Sequence, residues 1–371
     1  MRLTKKLQVL GLISVLALTG CSKADNNATG SNATTNSTAE GAQDSTDTTE
    51  GSTEDATDAA EESADESQDA KENGYPFTLT VSDSEGNTFE QTFTEAPTRV
   101  ITNNQSSLEL LLKLGLRDTI VGTISLDNDL PEELQAEFEG INVLTTTKQD
   151  PAKEVVIGSS PDLVIGRVAS FTDENFGTIE SLNEVGANVY VQEASQMNTE
   201  QSLENIILDV RNVGQIFQVE AAETLASELE QRLAAVKEQI NSVESEPIRV
   251  LVMVAYNDGS FGTFGANASL QNEMLATLNA VNVLDMGGSQ SLENLIALNP
   301  DMIIYVTADK NKDLDEVAIQ SLKENELLSS VTAIANDNIV EVNYTEFMGY
   351  GYRTFDCLER LAATVLEIAS K

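Results

Sequence analysis

From residue 75 onward the chain is written in short apolar runs whose period changes along its length. Phe77-Thr-Leu-Thr-Val81 and Thr88-Phe-Glu-Gln-Thr-Phe93 alternate in polarity on either side of Gly86-Asn87, which predicts a β-hairpin. Arg99-Val-Ile-Thr102, Thr119-Ile-Val-Gly122, Asp162-Leu-Val-Ile165 and Asn188-Val-Tyr-Val191 are then brief solid runs, with helical spacing between them as in residues 107–114. Strands apolar on both faces and separated by helices predict a parallel sheet covered on two sides. The second half repeats this grammar. Pro97-Thr-Arg99-Val100 returns as Pro247-Ile-Arg249-Val250, and the strand opened by Pro161-Asp162 returns as Pro300-Asp-Met-Ile-Ile304. In both copies a glutamate, Glu154 or Glu293, stands seven residues ahead of the Pro-Asp pair.

Two similar α/β lobes are therefore expected, with a helical stretch between them. The run through Leu225, Leu229, Leu233, Val236 and Ile240 contains no Gly or Pro. About 24 helical residues span roughly 36 Å, enough to cross between lobes, although a single surface helix of one large domain fits the same pattern. The expected organisation is an N-terminal lobe over residues 75–218, a bridging helix over 219–243 and a C-terminal lobe over 244–371. Two Rossmann-like lobes, each with a central mostly parallel sheet, would leave a ligand cleft between them.

The first 74 residues follow other rules. Arg2, Lys5 and Lys6 precede an apolar run over residues 7–18, the length of a signal segment and too short to span a bilayer comfortably. It ends in Leu18-Thr19-Gly20-Cys21, which resembles the bacterial lipobox, where the cysteine is acylated and becomes the mature N-terminus. A diacylated Cys21 would hold the protein on the extracytoplasmic face of the cell membrane, since two acyl chains anchor stably where one is marginal. Residues 22–74 lack Val, Ile, Leu, Met, Phe, Tyr and Trp and carry 14 acids against two bases. Such a segment cannot bury enough apolar area to offset its ordering entropy, and a disordered, charge-extended spacer is expected.

Composition removes whole classes of function. The net charge is −40, of which −31 belongs to residues 75–371, so a nucleic-acid partner is excluded by long-range repulsion. There is no histidine, which excludes Ser-His-Asp and Cys-His nucleophile systems and His-ligated zinc, copper or haem. No protein metal site is expected. Cys21 and Cys357 lie in unrelated contexts, so no disulfide framework is read, and Cys357 within an apolar helical pattern is expected to be a buried, inert thiol.

The order of an acylated cysteine, acidic spacer, hairpin, Pro-x-Arg-Val, Glu-x6-Pro-Asp-Leu-Val-Ile, long helix and a second Glu-x6-Pro-Asp unit resembles the ABC-transporter substrate-binding proteins for iron-siderophore, haem and cobalamin uptake. The resemblance covers about residues 76–371 and implies two lobes bridged by a stiff helix, modest hinge closure, no catalysis and no cofactor. It further implies that Glu154 and Glu293, one per lobe, dock on arginines of a membrane permease. The same positions suit helix N-terminal acids favoured by the dipole, and position alone does not separate the two roles.

Ligands of open α/β sheets bind beyond the carboxyl ends of strands. That rule selects Asn103, Asn104, Ser106, Arg167, Tyr256 and Thr307. Tyr344, Tyr350, Tyr352 and Arg353 cluster before the final helix and are candidate cleft-wall residues, with Phe347 and Phe355 assigned to the core. The family's Gly-Pro-Arg appears here as Gly351-Tyr352-Arg353, which leaves the loop's shape open. Arginine with tyrosine suits a bulky planar or anionic chelate. The expectation is a monomeric, membrane-anchored carrier of a ferric siderophore, with cobalamin or haem as alternatives of the same fold. A surface hydrolase or an adhesion module is a weaker reading from another class.

Overall fold

The computed structural model describes residues 74–145, 150–257 and 259–371, all within the unit Glu61–Lys371. The expected signal segment, Cys21 and the acidic spacer up to residue 73 lie outside the described residues. Strands β1 (Phe77–Ser82) and β2 (Thr88–Phe93) pair antiparallel, and the Asp83 carboxylate closes their turn by accepting the backbone N–H groups of Glu85 and Asn87, each at 2.9 Å.

The first lobe follows as β3 (Val100–Thr102), α1 (Gln105–Lys113), β4 (Ile120–Gly122), α2 (Glu132–Phe138), α3 (Lys153–Gly158), β5 (Leu163–Gly166), α4 (Ile179–Glu184) and β6 (Asn188–Val191). Its sheet is wholly parallel, in the order β4-β3-β5-β6. Helices α5 (Leu203–Phe217) and α6 (Ala221–Asn241) come next. The second lobe comprises β7 (Ile248–Asn257), β8 (Ser260–Phe264), α7 (Ser269–Thr277), β9 (Ala280–Asn282), β10 (Gly288–Ser291), α8 (Leu292–Leu298), β11 (Met302–Thr307), α9 (Lys312–Glu324), α10 (Thr332–Ala335), β12 (Ile339–Asn343), α11 (Tyr344–Phe347) and α12 (Thr354–Ala369). Its sheet runs β10-β8-β7-β11-β12, with β9 beside the start of β7. It is mixed: β7 continues into an antiparallel pair with β8, which pairs in turn with β10.

Helix α6 carries the chain from one lobe to the other, with Leu225, Leu229, Leu233, Val236 and Ile240 buried on one face against α5 and α12. Arg232 on α6 ties to α12 through Asp356 and Glu359 at 2.6 and 2.8 Å. One apolar core is continuous through the first sheet, α5, α6, α12 and one face of the second sheet, and a separate cluster fills that sheet's other face. Lobes that share a core resist large opening, because parting them would expose packed apolar area at roughly 25 cal/mol per Å².

The repeated motifs have a structural explanation. In the first lobe the Arg99 guanidinium donates to the carbonyls of Ser159 and Ser160, each at 2.7 Å, just past the end of α3. The Asp162 carboxylate accepts the Arg99 backbone N–H at 2.9 Å. In the second lobe Arg249 donates to the carbonyls of Leu298 and Asn299 at 2.7 and 2.8 Å, and Asp301 accepts the Arg249 N–H at 3.0 Å. Each arginine caps the carbonyl end of the Glu-bearing helix, so Pro-x-Arg-Val and Glu-x6-Pro-Asp are two halves of one clamp.

Behind the first sheet, the fully buried Asp209 of α5 accepts from Tyr190 Oη at 2.6 Å and from the backbone N–H groups of Glu193 and Ala194 at 2.7 and 3.1 Å. Burial pushes its carboxyl up to about 7, against these three donors. The folded state then holds a proton that the unfolded chain has released between about pH 4 and 7, so stability falls as pH rises through that window. Asp209→Asn cannot titrate and is expected to remove this part of the slope. Urea midpoints at closely spaced pH values check it, and identical profiles for the two proteins contradict it.

Candidate functional site

The cleft lies between the carboxyl ends of the two sheets. At the end of β5, Gly166 adopts φ +155°, and a Cβ there would lie 1.7 Å from Asn103 Oδ1, so glycine is required. The freed space admits the Asn103 amide, which accepts the Arg167 N–H at 2.8 Å and donates to the Arg167 carbonyl at 3.1 Å. Asn103 is thus fully buried and fixes the backbone of Arg167. The Arg167 side chain is about one-third exposed; its Nε donates to Ser170 Oγ at 2.9 Å and a terminal nitrogen stands 3.6 Å from Asp150.

From the opposite lobe, Lys310 lies 5.4 Å from the centroid of the Tyr344 ring, a cation–π arrangement. Asn104, Ile124, Ser125, Asp127, Asp150 and Arg167 of the first lobe face Ala308, Lys310 and Tyr344 of the second across a cavity of about 170 Å³. A narrow extension of about 60 Å³ reaches Ser106, Met348 and Tyr350. Burial raises the Tyr344 and Tyr350 phenols, and Arg167 opposes this at both, so the two rings remain neutral donors near the guanidinium. Asn104 doubles as the N-cap of α1 and donates to Gln192 at 2.7 Å, whose own amide donates to the Tyr350 carbonyl at 3.0 Å. Gly351 permits this close approach of the lobes, since a Cβ there would meet Ser106 Cβ at 2.6 Å.

The structure thus brings Asn104, Ser106, Arg167, Tyr344 and Tyr350 together and separates the remaining candidates. Tyr256 is corrected to a core residue. Strand β7 runs four residues past Met253, the end that the sequence pattern predicts, and the ring packs among the apolar side chains of the second lobe with Phe261 and Tyr305. Arg353 is corrected likewise: it is buried and ion-paired to Glu109 of α1 at 3.0 Å and to Glu346 of α11, with Arg360 also on Glu346 at 2.6 Å. Tyr352 is buried beside Lys113, whose Nζ lies 6.0 Å from the ring centroid, away from the cavity. Thr307 lines a neighbouring cavity. Phe347, Phe355 and Cys357 are fully buried, and burial pushes the Cys357 thiol up to about 12, which makes it inert.

Asp127, Asp150 and Lys310 were not selected from the sequence. The strand-end rule carried four or five residues past β4 reaches Asp127, and three past β11 reaches Lys310; nothing in the sequence distinguishes Asp150. Glu154 and Glu293 are exposed in the first turns of α3 and α8, and the Ser291 hydroxyl at the N-cap of α8 holds the Glu293 carboxyl below its ordinary value.

A mostly parallel α/β lobe pair around an interlobe cleft is the architecture of binding proteins. A family profile described as periplasmic binding protein matches residues 100–344, and the chain belongs to that family. It is accordingly an extracytoplasmic substrate-binding protein of ABC transport and not an enzyme, pairing a small-molecule ligand with a membrane permease. A cobalamin-binding protein of Halobacterium salinarum is 25% identical over 292 residues, 77% of this chain and 74% of its own. An uncharacterized ABC transporter substrate-binding lipoprotein of Bacillus subtilis is 23% identical over 302 residues, 80% and 88% of the two chains. A periplasmic binding protein from Veillonella parvula superposes with a TM-score of 0.68 at 24% identity, over 78% of this chain and 92% of that one.

Proposed function

We propose that the cleft takes a preformed, weakly charged metal chelate, a ferric hydroxamate siderophore first, and delivers it to an ABC importer. The observation that carries this is the convergence of Arg167 from one lobe with Tyr344 and Tyr350 from the other on one cavity system. Arg167 and Lys310 are offset by Asp127 and Asp150 in the same lining, and the folded part is strongly acidic. That balance suits a neutral chelate held by donors and aromatic contact, and disfavours a multiply anionic catecholate. A sequence without histidine fits a metal that arrives already coordinated. Cobalamin is the second reading, favoured by the name of the H. salinarum relative.

Thermal shift against ferrioxamine B, ferric enterobactin, haemin and cyanocobalamin tests the ligand. A ligand at about 100 times its dissociation constant stabilises by about 2.7 kcal/mol. Arg167→Ala is expected to weaken ferrioxamine B about 10- to 100-fold while leaving the unfolding midpoint nearly unchanged, because a charge-assisted bond contributes about 1.5–3 kcal/mol. Stabilisation by ferric enterobactin alone would sink the charge argument.

We propose also that Cys21 is acylated and tethers the folded part to the membrane through residues 22–74. The lipobox-like Leu18-Thr19-Gly20-Cys21 and the lipoprotein name of the B. subtilis relative support this. Cys21→Ser is expected to move the protein from the membrane fraction to the soluble one, and retention at the membrane would count against the anchor.

A further inference from the structure

After β4 the first lobe touches the second at Asn128. Its Oδ1 accepts the Thr345 backbone N–H at 3.0 Å and the Thr345 hydroxyl at 3.2 Å, and its Nδ2 donates to the Thr307 carbonyl at 2.9 Å. One residue earlier, the Asp127 carbonyl accepts the Asp309 N–H at 2.8 Å. These contacts stand at the boundary between the cavity of about 170 Å³ and a second one of about 420 Å³, and Ala308 lines both. The second cavity is bounded by Asn128 and Thr307 themselves and by Glu341.

The loop is braced from behind. Gln105 Oε1 accepts the N–H groups of Asp127 and Asn128 at 2.7 and 3.2 Å, and Gln105 Nε2 donates to the Asn128 carbonyl at 3.0 Å and to Glu109 at 2.9 Å. Glu109 is the carboxylate paired with Arg353 at the N-cap of α12, so one polar chain runs from the buried ion pair to the cleft edge. All partners of the Asn128 side-chain amide belong to the other lobe: Thr345 of α11 and Thr307, the last residue of β11. A polar side chain that is 6% exposed and spans two bodies holds them at a set spacing. The smaller cavity falls below the range of about 300–1,000 Å³ usual for ligand sites, and joined with its neighbour it falls within that range.

We infer that Asn128 is an interlobe latch, and that the two cavities are halves of one cleft that a ligand joins by parting it. The joined cleft rests on the chelate-binding reading above; the latch does not. Amide-resolved hydrogen exchange on the full chain reads the latch without ligand. The Thr345 amide, bonded to Asn128, is expected to exchange at least about tenfold faster in Asn128→Ala, together with the Asp309 amide, while the amides of β3 and β11 keep their rates; a bond of about 1.4 kcal/mol corresponds to tenfold. Asn128→Asp faces the Thr307 carbonyl without a proton to donate and is expected to be intermediate, which keeps the test open should the alanine variant not fold. Wild-type exchange rates at Thr345 and Asp309 in both variants overturn the latch.

Ferrioxamine B and cyanocobalamin then probe the cleft. Whichever binds is expected to gain up to about tenfold in affinity with Asn128→Ala, where no latch has to be broken, and to lose at least tenfold with Glu341→Trp, which fills only the second cavity. Unchanged affinity in Glu341→Trp overturns the joined cleft. Binding of neither probe overturns the joined cleft together with the ligand reading, while the exchange result stands on its own.

Discussion

Arg353→Ala is expected to cost about 3–5 kcal/mol of stability, the largest effect of any single substitution considered, because it leaves two buried carboxylates without their shared cation. Glu109 is almost wholly inaccessible, and burial pushes its carboxyl up against the pull of Arg353. Glu346 keeps Arg360, a half-exposed partner, so the loss falls mainly on Glu109. Arg353→Lys retains the charge but not the planar fork that reaches both acids, and an intermediate loss is expected. The decisive measurement is urea unfolding of Arg353→Ala in the wild-type background and in Glu109→Gln/Glu346→Gln. The cost should shrink sharply in the second, where no carboxylate is stranded. An equal cost in both would assign the effect to lost packing. The pair also explains why Arg353 is unsuited to the ligand, since recruiting it would strand the same two acids.

The second large effect concerns delivery. Reversing Glu154 and Glu293 to arginine together is expected to abolish uptake while leaving ligand affinity and the unfolding midpoint unchanged. Both carboxylates are exposed, and each rides on a short helix clamped to the first strand of its lobe by Arg99 or Arg249. Rigid mounting is what two charges need if a partner is to read their separation, because charge-assisted arginine contacts are directional. Single reversals are expected to leave partial uptake. Uptake assays in cells lacking the wild-type chain, paired with titration of the purified variant, check this. Lost affinity would place the two residues in the cleft instead, and unimpaired uptake would remove the docking role.

The difference between Arg167 and Arg353 shows what was legible beforehand. Both are scarce cations near strand ends or aromatics, and Arg167, just past a buried strand, reads from the sequence as the stronger ligand candidate. Arg167 reaches the cleft because Gly166 leaves room for Asn103 to hold its backbone, with Asp150 steadying the guanidinium from a distant segment. Arg353 meets Glu109 from 244 positions away, a juxtaposition that no local pattern records. Tyr256 illustrates the other failure: the expected strand ended at Met253, but β7 runs on to pair with β8, which carries the ring into the core. The strand-end rule failed where a strand's end was misplaced, and it fell short where it was applied to too few residues, as at Asp127 and Lys310.

By itself the sequence determined the lobe pair, the strands of the first parallel sheet and the two central strands of the second, the helical crossing and the absence of histidine chemistry, because those follow from periodicity, a repeated motif and composition. It also determined that Glu154 and Glu293 are equivalent, through the spacing to Pro-Asp. Only the tertiary structure decided which polar residues meet across the lobes, since the Asn128–Thr345 and Glu109–Arg353 contacts join segments 217 and 244 positions apart. Such contacts are set by how the two lobes share one core through α5, α6 and α12, and packing of that kind leaves no periodic trace in either segment.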